Sequence, residues 1–273
     1  MKILFINPNL RGEIRINVGL GYLVSYIMKK TTHRVQLADL TFHRKDWNAF
    51  LRDEIRQFEP KVVGVSVLTY NFHETKIIID YIKKLRPEIK VILGGIHPTI
   101  CPEETIKHPS VDFICIGEGE YLLEDLLDRL ESKQPLEGIG GLWFKNNNKI
   151  IKNPPSEFIQ DLDGIPFPDW TIFDLKKYSI VNPYEIPILG SRGCPFSCTY
   201  CINHVLRDSQ TEKYVRYREP ENIIKEIEFQ IQELSGYGLC YFYFWDDMFN
   251  LDHNFVKKFL TISLLVLGIS SLF

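Results

Sequence analysis

The chain has no excess charge of either sign. Its 273 residues hold 32 Lys and Arg against 35 Asp and Glu, a net charge of −3, so nothing marks a general basic surface for nucleic acid or anionic membrane. Long apolar runs are missing too. FLTISLLVLGISSLF (259–273) is uncharged but shorter than the ~18 residues expected of a membrane span. The apolar stretch in MKILFINPNL is too short for the core of a secretory signal, and the expected compartment is the cytoplasm. Cysteine is scarce. Three of the six cysteines fall within residues 194–201, which suits metal ligation in a reducing compartment better than a disulfide framework. Cys115 and Cys240 stand in apolar strand-like runs, VDFICIG and LCYFYFW, and read with Cys101 as structural thiols. What is plentiful is apolar side chain. A hydrophobic content of 45% fills a sizeable core, in two domains or one large α/β domain.

From residue 2 to about 131 short apolar runs alternate with amphipathic ones. The strand candidates are KILFIN (2–7), HRVQLA (33–38), KVVGVSVL (61–68), KVILGG (90–95) and VDFICIG (111–117), with helical patterns at 19–30, 46–58, 72–86, 102–108 and 119–131. Strands separated by helices predict βαβ units and a doubly wound, flavodoxin-like parallel sheet covered on both faces. Ligands of such sheets lie beyond the carboxyl ends of the strands. Those ends carry Asn7-Pro8, Ser66-Val67-Leu68, Gly94-Gly95 and Gly117-Glu118-Gly119-Glu120. Neither GLGYLV (19–24) nor GEGEYL (117–122) has the third glycine of the dinucleotide fingerprint, which argues against a nicotinamide dehydrogenase.

Ser66 and Leu68 at the end of the third strand, Gly94-Gly95 ending the fourth, and the stretches GIHPT (95–99) and GEGE (117–120) resemble the cobalamin-binding domain of cobalamin-dependent radical enzymes. The resemblance implies that Ser66, Leu68, Gly94 and Gly95 line the slot for the nucleotide tail of cobalamin. The Asp-x-His-x-x-Gly stretch, whose histidine holds cobalt in many members, occurs nowhere in the chain. Bound cobalamin is therefore expected to have no protein histidine ligand. His97 reads as a local hydrogen-bonding group, and His33, His43, His73, His108 and His253 as surface or structural.

GLWFKNNNKIIKN (141–153) reads as a small hairpin across an asparagine-rich turn. The Pro-rich stretch 153–170 reads as a connector. Three segments are expected: 1–135 for cobalamin, 136–184 as hairpin and linker, and 185–273 as a second module.

That module opens with the strand candidate EIPILGS (185–191), which runs into RGCPFSCTYC (192–201). Thiolates suit zinc or iron–sulfur clusters. A structural zinc site needs four ligands, and His204 would complete Cys-x₃-Cys-x₂-Cys-x₂-His. A [4Fe–4S] cluster held by Cys194, Cys198 and Cys201 alone keeps one iron open. The CxxxCxxC spacing with Tyr200 before the third cysteine resembles the signature of radical S-adenosylmethionine enzymes. By that resemblance the three cysteines ligate the cluster, the open iron chelates S-adenosylmethionine, and Tyr200 contacts its adenine side. The resemblance further implies reductive cleavage to a 5′-deoxyadenosyl radical, methyl transfer to an unactivated carbon of a small-molecule substrate, and an electron donor of the flavodoxin or ferredoxin type. Cyclisation or rearrangement is the alternative outcome.

Downstream, 220–234 reads as an amphipathic helix and LCYFYFWDD (239–247) as a buried strand ending in Asp246 and Asp247. In the resembled enzymes this strand end helps to bind the amino group of S-adenosylmethionine. Arg216 and Arg218 are expected to face solvent. About two βα units fit into 185–273, against about six in the resembled barrel, so an N-terminal part of a partial (β/α) barrel is expected, ending early and exposing apolar surface. A non-catalytic cobalamin-binding module and a zinc-stabilised interaction protein stand as the alternative functions.

Overall fold

A computed structural model describes residues 1–147, 149–180, 185–208, 213–237 and 241–267. It divides into two compact units, Met1–Phe158 and Ile159–Phe273.

The first unit follows the alternation of its sequence. It runs β1 (Lys2–Asn7), α1 (Val18–Lys30), β2 (Arg34–Asp39), α2 (Trp47–Phe58), β3 (Val62–Ser66), α3 (Phe72–Leu85), β4 (Lys90–Gly94), α4 (Ile96–Ile100), α5 (Pro102–Lys107), β5 (Phe113–Cys115) and α6 (Glu120–Ser132), then β6 (Leu142–Asn146) and β7 (Lys149–Lys152). The sheet order is β2-β1-β3-β4-β5-β6-β7. Its first five strands are parallel and the last two antiparallel additions. The hairpin at 142–152 therefore extends this sheet at its edge. Asn147, at φ +46°, supplies the left-handed turn residue; Asn148 lies outside the described residues.

Alternate strand residues serve opposite faces. Leu4, Ile6, Val63, Val65, Val91 and Leu93 form one core with Leu51, Ile55 and Phe58 of α2 and Ile78, Ile79 and Ile82 of α3. Ile3, Phe5, Val62 and Ile92 are buried on the opposite face, where α1 packs on β1 and β2 and against α6. Such two-sided burial is what turns parallel strands into nearly continuous apolar runs. Cys115 lies in that core as expected, whereas Cys101 is half-buried and Cys240 lies outside the described residues.

The second unit holds α7 (Leu175–Ser179), β8 (Glu185–Ile188), β9 (Ser191–Arg192), α8 (Asn203–Arg207), β10 (Arg216–Tyr217), α9 (Pro220–Glu233), β11 (Tyr241–Phe244) and α10 (His253–Leu267). β8 pairs in parallel with β11, so β8, α9 and β11 form a βαβ unit, while β9 and β10 make a short antiparallel ladder. Ile188, Ile223, Ile224, Ile227, Phe255 and Phe259 form its core. β11 is a half-exposed strand rather than a buried one, because among the described strands it pairs with β8 alone. Leu264, Leu265 and Val266 of α10 are exposed, and no helix among the described residues is long and apolar enough to cross a membrane.

The expectation for the two arginines is overturned. Arg216 and Arg218 are both buried. Arg216 donates from Nε to the Tyr214 carbonyl at 3.0 Å and from Nη1 to that of Ile159 at 2.8 Å. Arg218 donates to the Leu189 carbonyl at 2.9 Å and to Asn222 Oδ1, and its guanidinium pairs with the wholly buried Glu226 carboxylate. Carbonyls and one carboxylate brought from distant positions satisfy donors that the sequence alone assigns to water.

Candidate functional site

In the first unit the candidate residues meet at the carboxyl edge of β3 and β4. Ser66 pairs in register with Gly94, and the Val67 amide donates to the Gly94 carbonyl at 2.8 Å. Val67 is fully buried while Ser66, Leu68 and Gly94 are half-buried and Gly95 is exposed. The edge is thus firmly anchored yet open. Gly95 has φ +99°, and a Cβ there would lie 2.9 Å from the Val67 carbonyl oxygen, so both conformation and space require glycine. The Leu68 amide donates to Asn71 Oδ1 at 2.9 Å.

The GIHPT stretch ties three strand ends together. Thr99 Oγ1 donates to the Gly95 carbonyl at 2.8 Å and accepts from the Gly117 amide at 3.1 Å. The His97 amide donates to the Val67 carbonyl at 3.1 Å. His97 is buried on the short helix α4, with Nδ1 3.4 Å from Thr69 Oγ1 and its ring 4.0 Å from that of Phe72. Burial pushes its pKa down; Glu104 opposes this and Lys76 adds to it. Its Nε2 is sealed from solvent without a protein partner. The Cys115 thiol is pushed up to about 12, first by burial and then by Glu120 and Glu118, and is inert as a nucleophile.

Sequence reasoning missed a polar cluster at the ends of β1 and β2. Asn7 Nδ2 donates to Asp39 Oδ1 at 2.9 Å, Thr41 Oγ1 to the same oxygen at 2.7 Å, and Asn17 Nδ2 to Asn7 Oδ1 at 3.4 Å. Asn7 was visible as a strand end; its partners are scattered in sequence and carry no motif.

In the second unit the loop between β9 and α8 carries the three thiols. Gly193, at φ +89°, makes the entry turn, where a Cβ would run into the Tyr214 carbonyl. The Cys201 amide donates to the Cys198 carbonyl at 3.0 Å. Arg207 of α8 brackets the loop, donating to the Pro195 carbonyl at 2.8 Å and to Ser197 Oγ at 3.0 Å. Cys194 and Cys201 are half-buried, Cys198 is exposed, and none is in a disulfide. Among the described residues no three His, Cys, Asp or Glu side chains are gathered as a metal set; His204 does not close one with the cysteines. Three unpaired soft donors on one loop nonetheless have the chemistry a [4Fe–4S] cluster requires. Tyr200 is 91% exposed, and its phenol is pushed up by the charge of Cys198 and a hydrogen bond with it.

Behind the loop lie Asn203 and Tyr214, both buried. Asn203 Nδ2 donates to Cys201 Sγ at 3.6 Å, and the Tyr214 hydroxyl donates to Asn203 Oδ1 at 2.5 Å. The Tyr214 phenol is pushed up to about 12 by burial, then by Asp247, with Arg216 opposing. Asp246 accepts from the Gly190 amide at 3.0 Å and from the Ser191 hydroxyl at 2.5 Å. Its pKa is raised by burial against those same hydrogen bonds. Asp247 is exposed. Both follow β11, as the sequence predicts, but Asp246 is already engaged by the chain.

Residues 11–127 match the family model of the B12 binding domain. The chain is similar to an uncharacterized methyltransferase of Pyrococcus horikoshii, 31% identical over 97% of this chain and 56% of that protein. It is also similar to the anaerobic magnesium-protoporphyrin IX monomethyl ester cyclase of Rubrivivax gelatinosus, 28% identical over 85% of the chain and 43% of the cyclase. Among solved structures, the radical S-adenosylmethionine methyltransferase TsrM from Kitasatospora setae, with tryptophan substrate and the analog aza-SAM bound, has a TM-score of 0.77 at 23% identity. That match covers 97% of this chain and 51% of TsrM. TsrM with cobalamin and a [4Fe–4S] cluster bound gives a TM-score of 0.76 at 21% identity. These two likenesses establish the fold. The chain spans about half the length of the relatives it matches.

Proposed function

We propose that this chain is a radical S-adenosylmethionine enzyme with a cobalamin-binding domain and acts in cobalamin-dependent methyl transfer to a small molecule, a reading supported by the B12 binding domain match and by the similarity to methyltransferases. The observation that carries the proposal is the loop Cys194–Cys201, three free thiols at CxxxCxxC spacing directly after a βαβ-forming strand. When bound, the cluster and cobalamin supply reductive cleavage of S-adenosylmethionine and a methyl carrier.

The chain's own residues have separable tasks. Cys194, Cys198 and Cys201 would hold a [4Fe–4S] cluster, supplying one protein ligand fewer than the usual four. Tyr200, free of the core at 91% exposure, would contact the adenine side of S-adenosylmethionine. Ser66, Leu68, Gly94 and Gly95 would line the cobalamin tail slot, at an edge where Gly95 carries no Cβ. No histidine is assigned to cobalt. Asp246 holds Gly190 and Ser191, which feed the cysteine loop, leaving the exposed Asp247 as the freer group for the amino end of S-adenosylmethionine. Electrons come from a flavodoxin- or ferredoxin-type donor in a reducing, cytoplasmic setting.

The test is anaerobic purification from cobalamin-fed cells and reconstitution with iron and sulfide. About four irons per chain, with cobalt retained and 5′-deoxyadenosine formed in wild type but not in Cys198→Ala, is the expected result. Zinc in place of iron and cobalt would overturn it. Cobalamin retention without S-adenosylmethionine cleavage would reduce the chain to a binding module.

A further inference from the structure

We propose that Asn203, backed by Tyr214, is a hydrogen-bond donor to the Cys201 sulfur that raises the reduction potential of the cluster. The inference rests on the reading above that Cys201 is a cluster ligand, and it adds a residue whose task is to tune the cluster.

The three groups form a directed chain. Tyr214 Oη donates to Asn203 Oδ1 at 2.5 Å, and Asn203 Nδ2 faces Cys201 Sγ at 3.6 Å. The amide orientation follows from chemistry as well as geometry. A metal-bound thiolate has no S–H, so only the Nδ2 side can face it favourably; Oδ1 must then turn to a donor, and the Tyr214 hydroxyl is that donor. Both supporting side chains are buried, with 8% of each exposed. Water therefore competes less for the amide, and the part-buried hydrogen bond to Cys201 is stronger, toward a charged acceptor, than a fully exposed one. Asn203 opens α8, whose last residue, Arg207, grips the Pro195 carbonyl and Ser197. The donor and the loop it serves are thus tied to the same short helix.

The sign follows from charge. Reduction adds an electron to the cluster and its thiolates, so a donor aimed at a ligand sulfur stabilises the reduced form more than the oxidised one and raises the potential. Removing it makes the potential more negative. The Tyr214 hydroxyl acts through the amide, by polarising it, and its removal should act in the same direction but less.

The experiment is an EPR-monitored redox titration of the reconstituted chain, with iron content measured on every sample. Asn203→Leu keeps the branched four-heavy-atom side-chain shape, at a larger volume, and removes the donor. It should shift the reduction equilibrium roughly tenfold toward the oxidised form, about 59 mV for one electron. Tyr214→Phe should shift it by less with the same sign. An iron-loaded Asn203→Leu whose midpoint equals or exceeds that of wild type overturns the inference and leaves Asn203 a structural residue, with the cluster reading intact. If Asn203→Leu takes up no iron, Tyr214→Phe decides, and an unmoved midpoint there overturns it. A wild-type chain that binds no iron defeats both readings together.

Discussion

Asp246, at the end of β11, accepts a 2.5 Å hydrogen bond from the hydroxyl of Ser191, at the start of β9. Its second oxygen takes the Gly190 amide at 3.0 Å. One carboxylate thus fixes both residues from which the chain departs toward Cys194. Burial raises its pKa while these hydrogen bonds hold it down, so the group is kept for its contacts at a cost in desolvation.

Asp246→Ala should therefore loosen the approach to the cysteine loop. The Gly190 amide and Ser191 hydroxyl lose their acceptor, each at about 1–3 kcal/mol if it finds no water. Iron uptake on reconstitution should fall, while cobalamin binding, which belongs to the other unit, stays unchanged. Equal losses of both would show that the effect is global unfolding.

The pair Arg218–Glu226 supports a second prediction. Both side chains are buried, and Arg218 also donates to Asn222 and the Leu189 carbonyl. Removing one partner strands the other charge, at about 3–5 kcal/mol. Arg218→Met and Glu226→Leu should each lower the denaturation midpoint of the second unit strongly. The double substitution should be milder than the sum of the two, because neither member of the buried pair is left charged without the other, and Asp163, 4.0 Å from Arg218 Nε, keeps access to solvent. Strict additivity in that cycle would mean the two groups are not coupled.

Gly95→Ala tests the proposed cobalamin edge. The substitution forces a left-handed φ of +99° on alanine and sets Cβ 2.9 Å from the Val67 carbonyl oxygen. Strain of about 1–3 kcal/mol is expected, together with weaker cobalamin binding by equilibrium titration. Gly138→Ala is the control: its φ is also positive but nothing lies within 4 Å of a Cβ there. It should cost stability alone.

The fold of the first unit was legible because strands buried on both faces write themselves as apolar runs, and KILFIN is recovered as Lys2–Asn7 to the residue. The cysteine loop stood out by its spacing, and its role as a cluster site is the proposal made from that spacing. Arg216 and Arg218 were misread because a sequence does not show that carbonyls at Ile159 and Leu189 come to meet them. Asn203 and Tyr214 escaped notice for a similar reason: neither belongs to a motif, and the partners stand eleven residues apart in sequence. The joining of β6 and β7 to the sheet was hidden because a hairpin's periodicity says how it pairs with itself and nothing about which edge receives it.

His97 provides a pH test with a definite sign. Burial is the main cause of its lowered pKa; Glu104 on α5 opposes it and Lys76 on α3 reinforces it. The folded chain thus holds fewer protons on this ring than the unfolded chain does near and below its ordinary value, about 6.5. Stability from the neutral, buried ring is present above that value and is lost as pH falls toward the native pKa, by at most about 1.4 kcal/mol per pH unit. His108, also lowered mainly by burial, adds a contribution of the same sign. Amide hydrogen exchange of Val63, Val65 and Leu93, in the adjoining strands β3 and β4, reads this unit alone. After correction for the intrinsic exchange rate, protection should drop from about pH 7.5 to about pH 5.5 in wild type, and less in His97→Gln. Equal drops in both would mean that His97 exchanges its proton as freely when folded as when unfolded, and that the buried, unpartnered Nε2 is not what makes this edge sensitive to acid.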